Sequence, residues 1–207
     1  MNIHASPSLR WLLAGLALAL AGCGIVPKKT EISIYDPRPR VEADASWPRV
    51  DTQLVVLRPE GERLINSPRI LVRPTPGELQ VYKGAVWSQP PPDILQASLI
   101  HTLEDSGKLA GVSRRGGGIA GDVDLAMDIR QFDADYAVGG PSAVVEVSVQ
   151  LIRNDENRVI GTRVFRHATP AGSPAITDVQ RAFEQSIAAT TRDIAGWTLT
   201  TLQRTGR

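Results

Sequence analysis

Three observations predict an α+β domain: a mainly antiparallel sheet with two helices packed on one of its faces, the second helix long and C-terminal. The chain reads in the order strands, helix, strands, helix. Its longest alternating segments follow one another across short turns, so they cannot all be parallel, because parallel pairs need crossovers. Two segments carry apolar residues at three- and four-residue spacing, the signature of amphipathic helices. Helices gathered on one face of an antiparallel sheet are one of the few layer arrangements that bury both elements.

The elements follow in order. Glu31 to Tyr35 alternates polar and apolar through Ile32 and Ile34, as an edge strand would. Gln53 to Leu57 is a short apolar strand ended by Arg58-Pro59. Ile70–Arg73 and Glu78–Tyr82 face each other across Pro74-Thr75-Pro76-Gly77 and predict a hairpin. Asp93 to Ser106 is a helix with Asp93 as N-cap, Gly107 as the C′ glycine, and Ile94, Leu95, Leu99, Thr102 and Leu103 on one side. Val112 opens a short strand that runs into the loop Gly116-Gly117-Gly118. Val123, Leu125, Met127 and Ile129 then point one way along a strand whose phase slips at Gln131-Phe132, which predicts a β-bulge. Ala143–Ile152, a turn at Asn154–Asn157, and Val159–His167 form the next hairpin. Thr177 to about Arg204 is the long helix, with Thr177 and Gln180 as a capping box and Val179, Phe183, Ile187, Ile194 and Trp197 as its apolar stripe.

The N-terminus has a different character. Arg10 precedes an apolar run from Trp11 to Ala21, too short for the roughly twenty residues of a spanning helix. Leu20-Ala21-Gly22-Cys23 closes that run and holds the only cysteine. Small residues before a lone thiol are what a lipoprotein signal peptidase requires, since the thiol takes the diacylglyceryl group before cleavage. Residues 1–22 are therefore expected to be a lipoprotein signal peptide, residues 23–50 a lipid-anchored tether stiffened by Pro27, Pro37, Pro39 and Pro48, and residues 51–207 the folded domain. Gly24, where an aspartate would favour inner-membrane retention, makes the outer membrane, facing the periplasm, the expected location.

Composition narrows the function classes. Removing residues 1–22 takes away one arginine and no acid, leaving 22 basic and 22 acidic residues. A neutral chain is no nucleic-acid binder. No second cysteine exists for a disulfide, and three histidines, one within the signal peptide, leave little for a metal site. His101 and His167 are the candidates for a base, but no Gly-x-Ser-x-Gly elbow accompanies them. Asp122, Asp124 and Asp128 look like a cluster, but alternation places Asp124 and Asp128 on the polar face of a strand and calcium-loop spacing is lacking, so a solvated face is the simpler reading. The triple glycine has no lysine after it and is no phosphate loop. Tyr82 and Trp87 flank Gln89-Pro90-Pro91-Pro92 and are either core packing, the simpler reading, or a partner-docking surface. No catalytic residue, cofactor or metal is expected.

Several segments in series resemble the auxiliary lipoproteins of ABC-type transport systems, the PqiC-like family. They are Ile34-Tyr35 after the lipobox, Leu54-Val55-Val56-Leu57-Arg58-Pro59, and Asn66-Ser67-Pro68-Arg69-Ile70 leading to Glu78–Tyr82. Trp87-Ser88-Gln89-Pro90-Pro91, Leu103-Glu104-Asp105-Ser106-Gly107, Ile129-Arg130-Gln131-Phe132-Asp133 and a terminal helix with Trp197 complete the series. The resemblance spans roughly residues 32–200; Asp36-Pro37 departs from it, where family members continue with apolar residues. It implies a non-enzymatic component of a system moving lipids or other hydrophobic molecules between membranes, partnered by an MCE-domain protein and forming a homo-oligomer. An assembly or scaffolding lipoprotein for an outer-membrane machine is the rival reading, and a periplasmic hydrolase using His101 or His167 a distant third.

Cys23→Ala is expected to abolish incorporation of labelled palmitate and to move the protein wholly from the membrane to the soluble fraction, with loss of function. Complementation by a soluble Cys23→Ala protein would overturn the essential anchor.

Overall fold

A strand of thirteen residues, β7 (Val123–Asp135), organises the molecule. The computed structural model describes residues 31–118, 120–137 and 139–206, of which those from Ile32 onward fold as one unit. Its strands form a single nine-stranded sheet. One edge of β7 pairs along its whole length with β8 (Ser142–Arg153), antiparallel, and β8 pairs in turn with β9 (Arg158–Pro170). The other edge of β7 takes three short partners in succession, all parallel: β2 (Val50–Val56), β3 (Glu60–Gly61) and β4 (Arg69–Arg73). Beyond β4 lie β5 (Gln80–Trp87), antiparallel to it, and β1 (Ser33–Tyr35), parallel to β5. Beyond β2 lies β6 (Leu109–Arg114), parallel to it. The α+β class holds, and the long interfaces are antiparallel as expected, but the sheet is mixed. The parallel pairs join segments distant in sequence, which local patterning does not register.

Two helices cover one face: α1 (Pro91–Ser106) and α2 (Ile176–Thr205). Helix α1 lies over β2 and β6, with Gln96 Nε2 donating to the Val56 carbonyl at 3.0 Å. Helix α2 lies over β8 and β9, where the Ser186 hydroxyl donates to the Ala143 carbonyl at 2.7 Å. The helices meet at Ser98 and Thr191, whose hydroxyls are 3.0 Å apart. Beneath them Leu125, Ile129, Phe132, Val145, Val147, Val149 and Leu151 are fully buried.

The bulge that sequence phase predicted sits at Arg130, one residue before Gln131. Ile129 faces Val147 and Gln131 faces Glu146, leaving Arg130 as the extra residue. Side chains alternate faces with a period of two, so one inserted residue returns the following apolar side chains to the face of the preceding ones. Phe132 therefore joins Met127 and Ile129 under the helices. It stacks on Phe183 of α2 at 5.0 Å, and Trp87 of β5 meets both rings edge-on, at 6.3 and 5.2 Å. Trp87 is 1% exposed, as the simpler core-packing reading has it, and so is not available as a docking surface.

Four expectations are corrected. Helix α1 begins at Pro91, with Asp93 inside the first turn; prolines fit there because the first N–H groups have no intrahelical partner. Asp93 instead holds Arg58, whose Nε and Nη2 donate at 2.6 and 3.1 Å. Helix α2 begins at Ile176, which draws Thr177 into the helix and leaves no side-chain cap at Ala175. The local bonds run through Ser173, which donates to Asp178 at 2.6 Å and accepts from the Ala175 N–H at 3.1 Å. Asp124 is 7% exposed, bound to Arg115 and to Asn154 Nδ2 at 3.1 Å, and so is no solvated residue. Finally, the proline-rich segment is not a free tether from Ile32 to residue 50. From Ile32 it runs on the domain: β1 pairs with β5, Pro37 is buried, and Trp47 enters the core against Gly196, where an added Cβ would lie 2.8 Å from Trp47 Nε1.

Deleting Arg130 is expected to turn Phe132 out of the core and abolish cooperative unfolding. Phe132→Ala, which keeps the register, should cost about 3–5 kcal/mol in urea titration. A deletion no worse than Phe132→Ala would show that the bulge does not set the register.

Candidate functional site

The residues from Asp36 to Trp47 form a strap across the helices. Asp36 anchors its start, accepting from Ser88 Oγ at 2.6 Å and from Arg38 Nε at 2.8 Å. The Arg38 amide donates to Glu184 of α2 at 3.1 Å. The Ser88 hydroxyl first, and then Arg38, hold the Asp36 carboxyl below the usual aspartate range. Between strap and α1 runs an open groove of about 460 Å³ lined by Asp36, Arg38, Arg40, Gln89, His101 and Asp105. Its charges are mixed, and Asp36 is already spent on Ser88 and Arg38.

The expected site residues are dispersed. Cys23 lies outside the described residues. Tyr82 is half-buried, with its hydroxyl 2.9 Å from that of Tyr136; burial first, and then this hydrogen bond, push the phenol well above its usual range. Tyr82 therefore braces β5 against the end of β7. His101 is exposed on α1, whereas His167 Nε2 lies 2.9 Å from Asp193 Oδ2 of α2. Among the described residues neither histidine hydrogen-bonds a serine or threonine, and no three His, Cys, Asp or Glu side chains gather to hold a metal ion.

Polar groups missed from sequence sit on the open face of the sheet. Asp133, 2% exposed, accepts from Arg73 Nη2 at 2.9 Å and from Gln131 Nε2 at 2.8 Å. This network satisfies a buried carboxylate and ties β4 to β7. It joins residues 60 apart in sequence, so no spacing rule announces it.

Backbone edges and aliphatic surface are among what the structure leaves available for partners. Strands β1, β6 and β9, and the two-residue β3, each have one partner strand only. Ile32 and Ile34 at the β1 edge are 64% and 70% exposed, and Val159 and Val164 on β9 are 49% and 43% exposed. Unpaired strand edges are templates for further pairing. No described helix is long and apolar enough to cross a membrane.

The family model described as the ABC-type transport auxiliary lipoprotein component matches residues 33–195. A Xanthomonas campestris protein of the DUF330 family, known from its crystal structure, is 44% identical, with a TM-score of 0.81 over 84% of this chain and 98% of its own. A crystal structure described as an uncharacterized protein is 15% identical, with a TM-score of 0.62 over 80% of this chain and 97% of its own. A hypothetical protein of Chlamydia trachomatis is 10% identical, with a TM-score of 0.54 over 74% and 98%. The last two share the fold alone. No curated protein matches the sequence.

Asp36 is depressed, so its protonation opposes folding. The strap contact is expected to be fully present above the ordinary aspartate range and to be lost as the pH falls through the lowered value. A carbon-13 titration of Asp36 should give a midpoint below about 3.9. It should rise in Ser88→Ala and rise less in Arg38→Ala; equal midpoints in all three proteins would refute the assignment.

Proposed function

The chain belongs to the ABC-type transport auxiliary lipoprotein family, and from that premise we propose that it is the outer-membrane-anchored, periplasm-facing component of an MCE-type system that moves lipids or other hydrophobic solutes between membranes. It acts by binding and positioning. The family match over residues 33–195, preceded by the lipobox ending at Cys23, carries this reading. An auxiliary transport component works with a transporter, and the expected partner is its MCE-domain protein. The expected homo-oligomer has free strand edges to draw on.

The start of the folded unit bears on how such a component works. Cys23 precedes Ile32 by nine residues, a length that reaches at most about 30 Å fully extended. A tether lasting to residue 50 would reach about three times as far. With its lipid in the outer membrane, the domain is held close to that surface, so the anchor sets position as well as compartment. Catalysis has no part in this reading: a docking component needs shape, edges and a fixed height.

Affinity purification of the lipidated protein from its native membrane is expected to recover an MCE-domain protein together with its permease and ATPase. Inserting about twenty flexible residues after Pro27 should preserve membrane attachment but impair transport. Undiminished transport by that insertion protein would remove the positioning role, and recovery of an outer-membrane assembly machine instead would favour the scaffolding reading.

A further inference from the structure

We infer that the outer edge of β9 receives an extended strand from a partner protein, one that alternates acidic and aliphatic residues. The inference names a partner surface and rests on the partner-binding reading above.

Strand β9 is thirteen residues long and pairs only with β8, so one side of its backbone is open to a further strand. It is held rigidly by β8 along its length and by α2 above, so docking a strand costs little ordering. Its two faces differ in chemistry. On the helix side Arg163 lies over the Phe165 ring, 5.0 Å from its centroid, and Phe165 packs edge-on against Trp197. These three, with Arg192, Thr200 and Arg204 of α2, line a groove of about 430 Å³ beside the strand. Among the described residues Arg163, Arg192 and Arg204 form no ion pair, whereas Arg158 and Arg166 are held by Glu156 and Glu146. The groove also holds Asp193, hydrogen-bonded to His167, and Asp44, which accepts from Ser46 and is stabilised by the nearby Arg192 charge, so Arg163 and Arg204 are the arginines left for a partner. On the opposite side Val159 and Val164 are exposed.

A strand added to this edge turns alternate side chains to the two faces. Carboxylates on one side would meet Arg163 and Arg204, and aliphatic side chains on the other would cover Val159 and Val164. No acid occurs from Arg158 to Pro170, so nothing on β9 repels such a partner. A second copy of this chain does not supply the strand: its free edges are β1 and β3, three and two residues long, and β6 and β9, neither of which carries an acid.

The test uses the full lipidated chain in detergent micelles with a ten-residue peptide alternating Glu and Val, and its Lys-for-Glu twin. Hydrogen exchange read by mass spectrometry is expected to slow about tenfold over residues 158–170 with the acidic peptide, and to be unchanged over residues 109–114. The Lys twin should have no effect. Arg163→Glu should weaken the acidic peptide about tenfold, and Arg204→Glu, at an exposed helix end, serves the same purpose if the first variant misfolds. Protection by neither peptide or by both equally, or binding unaffected by either variant, overturns the proposal. So does slowing that follows protein concentration without peptide, which would mark self-docking. Failure to recover an MCE-domain protein bears on the transport reading and leaves this measurement untouched.

Discussion

One inserted residue holds the architecture together. Strand β7 must pair with β8 along its full length while serving β2, β3 and β4 in turn on its other edge. A strand that long, half covered by helices, must keep its apolar side chains on the covered face throughout. Arg130 makes this work by shifting the phase between Ile129 and Gln131, so that Phe132 and Ala134 stay with Leu125, Met127 and Ile129. Phe132 then completes the aromatic cluster with Trp87 and Phe183, which joins β5, β7 and α2. The same shift leaves Asp133 on the opposite face, where Arg73 and Gln131 satisfy it. Aromatic core and polar network are thus two consequences of one bulge.

Around this centre, the molecule presents contact surfaces and a strap, with no assembled catalytic group among the described residues. The strap matters because it brings the start of the folded unit to Ile32, close in sequence to Cys23. Trp47 packs on Gly196 where only the absence of a Cβ leaves room, and Asp36 ties the other end to Ser88. The chain joins its own sheet at Ser33, ten residues after Cys23, so under the proposed lipid anchor the domain stays near the membrane. Sheet edges that stay open beyond β1, β6 and β9 are what such a body offers to partners.

Much of this was readable in the sequence because it is local. Alternation along Val123–Ile129 and Ala143–Ile152, the hairpin turns, the left-handed Gly107 and the stripe on α2 all depend on neighbouring residues, and each appears in the fold. Capping was read less well, since a one-residue shift of a helix start changes which side chain can cap. Trp87 and Asp124 were ambiguous for another reason. An aromatic residue after a strand, or an acid on a strand's polar face, is core or surface according to what a distant segment lays over it.

The sequence by itself determined the Leu20-Ala21-Gly22-Cys23 pattern, the α+β class and the faces that bury, since each follows from residue identity and short-range period. Only the tertiary structure decided the parallel pairing of β2, β3 and β4 on β7, the strap, the Arg73–Asp133 contact and which strand edges remain open. Those features join residues tens of positions apart. Their energy arises when the chain is already folded, and no local pattern encodes which distant segment will arrive.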